Sequence, residues 1–131
     1  MRNELWPSPA GEHTGEIASF FSGRRENPAE VLMALDESGL PIGFVELSLR
    51  RDAEGCYSGG VAYIEGWYVS PQYRRRGIGT ALLRAAETWG RDQHCREIAS
   101  DAEIFNEQSI AAHKAAGFAE MGRNVCFRKD L

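Results

Sequence analysis

The chain lacks an apolar run long enough for a bilayer. Stretches such as Val31-Leu32-Met33-Ala34-Leu35 are strand-sized, against the roughly 20 residues a membrane span requires. It also lacks an excess of positive charge: 15 Lys and Arg stand against 19 Asp and Glu, a formal net charge of −4. The electrostatic footprint of a protein that grips nucleic-acid backbones is therefore missing, and no nucleic-acid partner is expected. Cysteine is scarce, and Cys56, Cys95 and Cys126 form no C-x-x-C pair. His94 cannot share one ligand geometry with its neighbour Cys95, so no metal is expected and the three thiols read as buried and reduced. The first ten residues carry charge and two prolines but no apolar segment of a secretory signal, which predicts a cytoplasmic protein. G-x-x-x-x-G-K-[ST], a complete G-x-G-x-x-G and G-x-S-x-G are all absent. A Walker A loop, a dinucleotide site and a serine-hydrolase elbow are excluded with them.

What is present fits one domain over residues 1–131, with 43% hydrophobic and 26% charged residues. Residues 1–28 read as loop, except that Ile17, Phe20 and Phe21 share a helical face. Ala29–Asp36 and Leu40–Leu49 are strand-length runs around the turn Asp36-Glu37-Ser38-Gly39, an antiparallel hairpin. Val61–Val69 alternates aromatic and aliphatic residues as a central strand, which Ser70-Pro71 ends. From Gly77 the period becomes helical, with Ile78, Ala81, Leu82, Ala85, Ala86 and Trp89 on one stripe to about Gln93. Arg96–Asp101 reads as a short strand. Asn106 opens a second helix, with Ile110, Ala111 and Ala115 inward and Gly117 as its left-handed stop. Phe118–Met121 and Val125–Lys129 read as closing strands. The fold class is α/β or α+β with a mixed sheet.

The stretch that carries chemistry is Gln72-Tyr73-Arg74-Arg75-Arg76-Gly77-Ile78-Gly79-Thr80, between a finished strand and a starting helix. A helix opens with unpaired N–H groups, which together with the helix dipole attract an anion. Glycines at 77 and 79 let a diphosphate approach the backbone, and the arginines add charge-assisted contacts.

The pattern R-x-x-G-x-G, as Arg74-Arg75-Arg76-Gly77-Ile78-Gly79, resembles the acetyl-coenzyme A motif of the GCN5-related N-acetyltransferases (GNAT). Asn106, Ser109, His113, Gly117 and Phe118 match that superfamily's downstream helix. Within it, Leu5-Trp6-Pro7, Gly55-Cys56, Ile64-Glu65-Gly66, Trp89-Gly90 and Cys95–Asp101 look like the aminoglycoside 6′-N-acetyltransferases, which confer antibiotic resistance. The resemblance covers nearly the whole chain from Leu5.

It implies the GNAT fold, whose mixed central sheet is splayed at the acetyl-CoA site and flanked by helices, and direct transfer of acetyl to a primary amine of a small cationic substrate. Trp67, Tyr68 and Val69 match the strand whose backbone holds the pantetheine arm, and Gly66 permits the local bulge this needs. Arg75, Arg76, Gly77, Ile78, Gly79 and Thr80 would wrap the pyrophosphate, and Asn106 would meet the cofactor from the second helix. Glu65 and Asp101 look like substrate-contacting carboxylates that bind ammonium groups and serve catalysis, Glu65 first among them; Trp6 matches a tryptophan lining the sugar site. His113 stands where many members carry a tyrosine that protonates the departing thiolate; here it reads as packing beside the cofactor.

Departures accompany the matches. The chain enters near the end of the superfamily's first helix, so the N-terminal strand is expected to be missing, leaving a sheet edge for a second copy and hence a homodimer. The relatives' tyrosine is absent from Arg51-Asp52-Ala53-Glu54, and Phe127 stands where tyrosine is expected. Two further readings therefore stand beside the aminoglycoside one: acetylation of another small amine or protein amino group, and a non-catalytic coenzyme A sensor.

Overall fold

The computed structural model describes Met1 and residues 28–131. Trp6, the helical face of Ile17, Phe20 and Phe21, and the expected loss of an N-terminal strand lie outside the described residues.

Four strands form one sheet in the order β1-β2-β3-β4. Strands β1 (Glu30–Leu35) and β2 (Pro41–Arg50) make the expected hairpin. Its turn is held by the Asp36 carboxylate, which accepts from the Ser38 and Leu40 amides at 2.9 Å each, while Gly39 takes the left-handed backbone (φ 86°) that closes it. Strand β3 (Val61–Val69) has the predicted bounds and lies antiparallel to β2. The short β4 (Glu97–Ser100) lies parallel to β3, a pairing that needs the intervening crossover helix α1 (Ile78–Asp92). A second helix, α2 (Glu107–Ala115), follows. This is the mixed, helix-flanked sheet the sequence predicted.

One layer of core lies between the sheet and α1, where Val45, Leu47 and Ile64 meet Leu82, Leu83 and Ala86. The inward stripe of α1 differs from the expected one. Leu83 and Gly90 are buried, whereas Ala81 and Ala85 are exposed. Burying leucine removes far more apolar area than burying alanine, so the helix turns its leucines in. In α2 the inward face is Ser109, Ile110, Ala112 and His113, and Ala111 and Ala115 are exposed. The predicted stop is present: Gly117 is left-handed (φ 96°), its N–H reaches the Lys114 carbonyl, and the Phe118 N–H reaches that of His113 at 3.0 Å.

Two expectations fail. Phe118–Met121 and Val125–Lys129 form no strand; among the described residues, 119–131 make no backbone hydrogen bond, and Val125 and Phe127 are 75% and 92% exposed. Their alternation marks a segment able to pair, but pairing needs an edge within reach. The cysteines are free as expected but not buried: Cys56 and Cys95 are half-buried and Cys126 is exposed, since all three lie outside regular elements.

Glu97 fastens the 51–60 loop to the start of β4, accepting the amides of Tyr57 at 2.9 Å and Ser58 at 2.6 Å and the Ser58 hydroxyl. The Ser58 hydroxyl and amide hold its carboxyl below the usual range. A depressed carboxyl stabilises above the unfolded-chain pKa and loses that contribution as pH falls through the folded value. Glu97→Gln should therefore lower Tm at pH 7. Thermal melts taken at falling pH should show the gap to wild type closing below about pH 4.

Candidate active site

The site is made by β3 outrunning β4. Pairing between them lasts from Val61 opposite Glu97 to Ile64 opposite Ser100, while β3 continues five residues to Val69 with β2 alone. In the β2 ladder Glu46 faces Gly66 and Leu47 faces Ile64, so Glu65 is the extra residue of a β-bulge. The bulge stands beside Gly66, where it was expected. Past it the sheet forks. The Ser70 N–H donates to the Ile42 carbonyl at 2.8 Å, so by strand alternation the Val69 N–H faces the opposite, unpaired edge. Trp67 and Val69 thus present backbone to the fork, and the buried Tyr68 packs its ring on Phe44 with centroids 5.9 Å apart.

A single turn of 3₁₀ helix, Pro71–Tyr73, leads from β3 to α1. Arg74 folds back and donates from Nε to the Val69 carbonyl at 2.8 Å. Arg75 and Gly77 are left-handed at φ 61° and 81°, which carries the chain into the helix. Gly77 caps α1 without a side-chain hydrogen bond, and the first described amide bonded within the helix is Ala81 N–H to the Gly77 carbonyl. The amides of Ile78, Gly79 and Thr80 precede it with no acceptor among the described residues. A Cβ on Gly77 would meet nothing within 4 Å, whereas one on Gly79 would stand 3.2 Å from the Trp67 ring. The loop is therefore open above and floored by Trp67, and exposed Arg75 and Arg76 flank it.

Across the fork lie the predicted carboxylates, tied into one polar string. Glu65 accepts a bidentate pair from Arg50 Nη2, at 2.9 Å to Oε1 and 2.8 Å to Oε2, a third bond from Nε at 3.1 Å, and the Ser48 hydroxyl. The same guanidinium stacks 3.4 Å above the Tyr63 ring, and the Tyr63 hydroxyl donates to Asp101 Oδ2 at 2.9 Å. Burial, then the hydrogen bond to Asp101 and its charge, push the Tyr63 phenol up to about 12. Arg50, Tyr63 and Ser48 were missed by sequence reading. The signal was the period of two, which puts Ser48 and Arg50 on one face of β2 and Tyr63 on the matching face of β3.

Asn106 lies at the start of α2, where its side chain caps the helix by accepting the Ser109 amide at 3.0 Å. His113 Nδ1 is 2.7 Å from the Ser109 carbonyl, which can only accept, so that nitrogen carries the proton. Nε2 lies 2.8 Å from the Ser100 hydroxyl, and the ring sits edge-on between Trp67 and Phe118. His113 is thereby held as a packing group joining α2 to the fork. No group of metal ligands occurs among the described residues.

Comparison with known proteins agrees with this geometry. The profile of the acetyltransferase (GNAT) family matches residues 1–118. An aminoglycoside N(6′)-acetyltransferase type 1 of Klebsiella aerogenes is 53% identical over 132 residues, covering 100% of this chain and 87% of that protein. The crystal structure of the aminoglycoside antibiotic 6′-N-acetyltransferase AAC(6′)-Ih from Acinetobacter baumannii superposes with a TM-score of 0.86 at 35% identity, covering 99% of this chain and 87% of that one. A structure of AAC(6′)-Iy in complex with a bisubstrate analogue, CoA-S-monomethyl-acetylneamine, superposes at 0.84 with 33% identity, covering 100% and 88%.

The Tyr63–Asp101 contact can be checked by ultraviolet titration of phenolate. Tyr63 should ionise near pH 12, above the ordinary phenol. Tyr63→Phe should remove that step, and Asp101→Asn should move it down towards the ordinary value of about 10.

Proposed function

The chain belongs to the acetyltransferase (GNAT) family, and on that premise we propose that it transfers the acetyl group of acetyl-CoA to the 6′-amino group of an aminoglycoside, as a single catalytic domain. The observation that carries this reading is the opening of α1, where three amides, two glycines and two exposed arginines leave room for a diphosphate beside the unpaired edge of β3. The residues present fit the cofactor: Arg75, Arg76, Gly77, Ile78, Gly79 and Thr80 hold the pyrophosphate, the β3 edge from Trp67 to Val69 takes the pantetheine arm as an added strand, and Asn106 closes on it from α2. Acetyl-CoA supplies an acyl group on a good leaving thiol, so the protein needs no nucleophile of its own. The Val69 N–H, facing the fork, polarises the carbonyl being attacked.

The acceptor reaches the other wall. An aminoglycoside is a polycation, and Glu65 and Asp101 offer it carboxylates at the fork. Glu65 anchors an ammonium group, and Asp101, with Tyr63 on one oxygen only, takes the proton of the attacking amine through water. Trp6, by its match to the relatives, lines the sugar site. Acetylation removes a positive charge from the drug, the chemistry of resistance. Its use of acetyl-CoA supports the reading of a cytoplasmic enzyme.

The protein acts as a homodimer in this reading. A cavity of about 660 Å³ is lined by β4, α2 and residues 118–124, and β4 is an outer strand of the described sheet. Residues 125–129 of a second copy, with Val125 and Phe127 exposed on the first, supply a strand of the right length and pattern for that edge. Sedimentation velocity should give a dimer for wild type and a monomer for Phe127→Asp.

Release of thiol from acetyl-CoA, measured against kanamycin, tobramycin, a polyamine and peptides, tests donor, reaction and acceptor together. Aminoglycosides should lead in kcat/KM by a wide margin. Turnover confined to a polyamine or peptide would assign a different acceptor, and coenzyme A binding without amine-dependent release would identify a sensor. Gly79→Asp should weaken coenzyme A at least about tenfold by calorimetry, a cost of 1.4 kcal/mol or more, because its side chain would press on the Trp67 ring that floors the loop and would bring a negative charge to the helix opening.

A further inference from the structure

Both oxygens of Glu65, the carboxylate proposed to anchor the acceptor, are already taken by a cation of the protein itself. Arg50 is the last residue of β2, two positions beyond Ser48, and its guanidinium makes three bonds to Glu65 while lying flat on Tyr63. The pair is not sealed in the core. The Arg50 and Glu65 side chains are 42% and 30% exposed, so water and a cationic ligand can reach them. A planar guanidinium on a carboxylate uses the same lone pairs that an ammonium would need.

We infer that Arg50 competes with the acceptor for Glu65 and limits its affinity, so that an ammonium group must displace its guanidinium before the substrate seats. The inference rests on the acceptor assignment above. The ring face of Tyr63 already carries the guanidinium, a contact that can be kept while the hydrogen bonds to Glu65 are given up. The exchange costs one half-exposed ion pair. The same cost falls on every ammonium that seats at Glu65, so Arg50 sets how tightly an acceptor binds there.

Calorimetric titration of kanamycin into the full chain saturated with coenzyme A tests this. Arg50→Lys keeps the net charge but loses the bidentate fork, and should tighten kanamycin about three- to fivefold, the scale of one such pair; Arg50→Gln should tighten it at least as much. In a Glu65→Gln background the Arg50→Lys gain should vanish, as a double-mutant cycle requires of coupled residues. Unchanged or weakened affinity in Arg50→Lys would overturn the inference, and so would a gain that persists with Glu65→Gln. A clamp that serves only the sheet would shift Tm and leave Kd alone, which overturns it equally. If wild type binds no aminoglycoside, the acceptor assignment itself falls and takes this inference with it; binding by wild type with indifferent variants removes Arg50 alone.

Discussion

Parallel pairing between β3 and β4 ends after Ile64 and Ser100, and the proposed site stands at that ending. A strand that loses a neighbour partway exposes a row of amides and carbonyls, which is normally a liability. Here the unpaired edge runs for five residues, and the chain prevents indiscriminate use of it with the Glu65 bulge at one end and Arg74 on the Val69 carbonyl at the other. The fork survives because α1 and its leucines hold the two strands from one side. Its stability is thus supplied by a core that none of the reacting groups joins.

Charge is distributed to match. The chain is acidic as a whole, yet Arg74, Arg75 and Arg76 are gathered at the helix opening and Glu65 and Asp101 on the opposite wall. An anion and a cation are therefore drawn to different sides of one cleft, and their reactive ends meet where the strands part. This sorting needs no net charge and no deeply buried ion. It needs backbone amides whose direction is fixed by the helix and carboxylates whose direction is fixed by the strand period.

Much of this was legible in the sequence because the signals are local. The β3 bounds follow from alternating large residues closed by Pro71, the α1 start from Gly77, and the α2 stop from Gly117. The proposed cofactor loop stands out because its glycines and arginines are contiguous. What escaped depends on long-range register or on a neighbour. Arg50 meets Glu65 across fifteen residues, and only the ladder that sets Ser48 opposite Tyr63 brings them together. The inward face of α1 was misplaced by a position because alanine fits either side of a helix, whereas Leu83 does not. The alternation of 125–129 was real, but a strand is a property of two segments, and the described residues contain only one.

Gly90 sits near the far end of α1, where a Cβ would stand 3.0 Å from the methyl of Ala62 on β3. The opening turn at Ile78 is twelve residues away, about 18 Å along the axis. Helix and sheet touch closely at both ends, since Gly79 at the opening approaches the Trp67 ring as Gly90 approaches Ala62. A methyl wedged in at Gly90 would tilt the rod on its leucine bed and shift the opening amides. Natural drift at a residue remote from the proposed site would thereby retune its grip on the donor without altering a single contacting side chain.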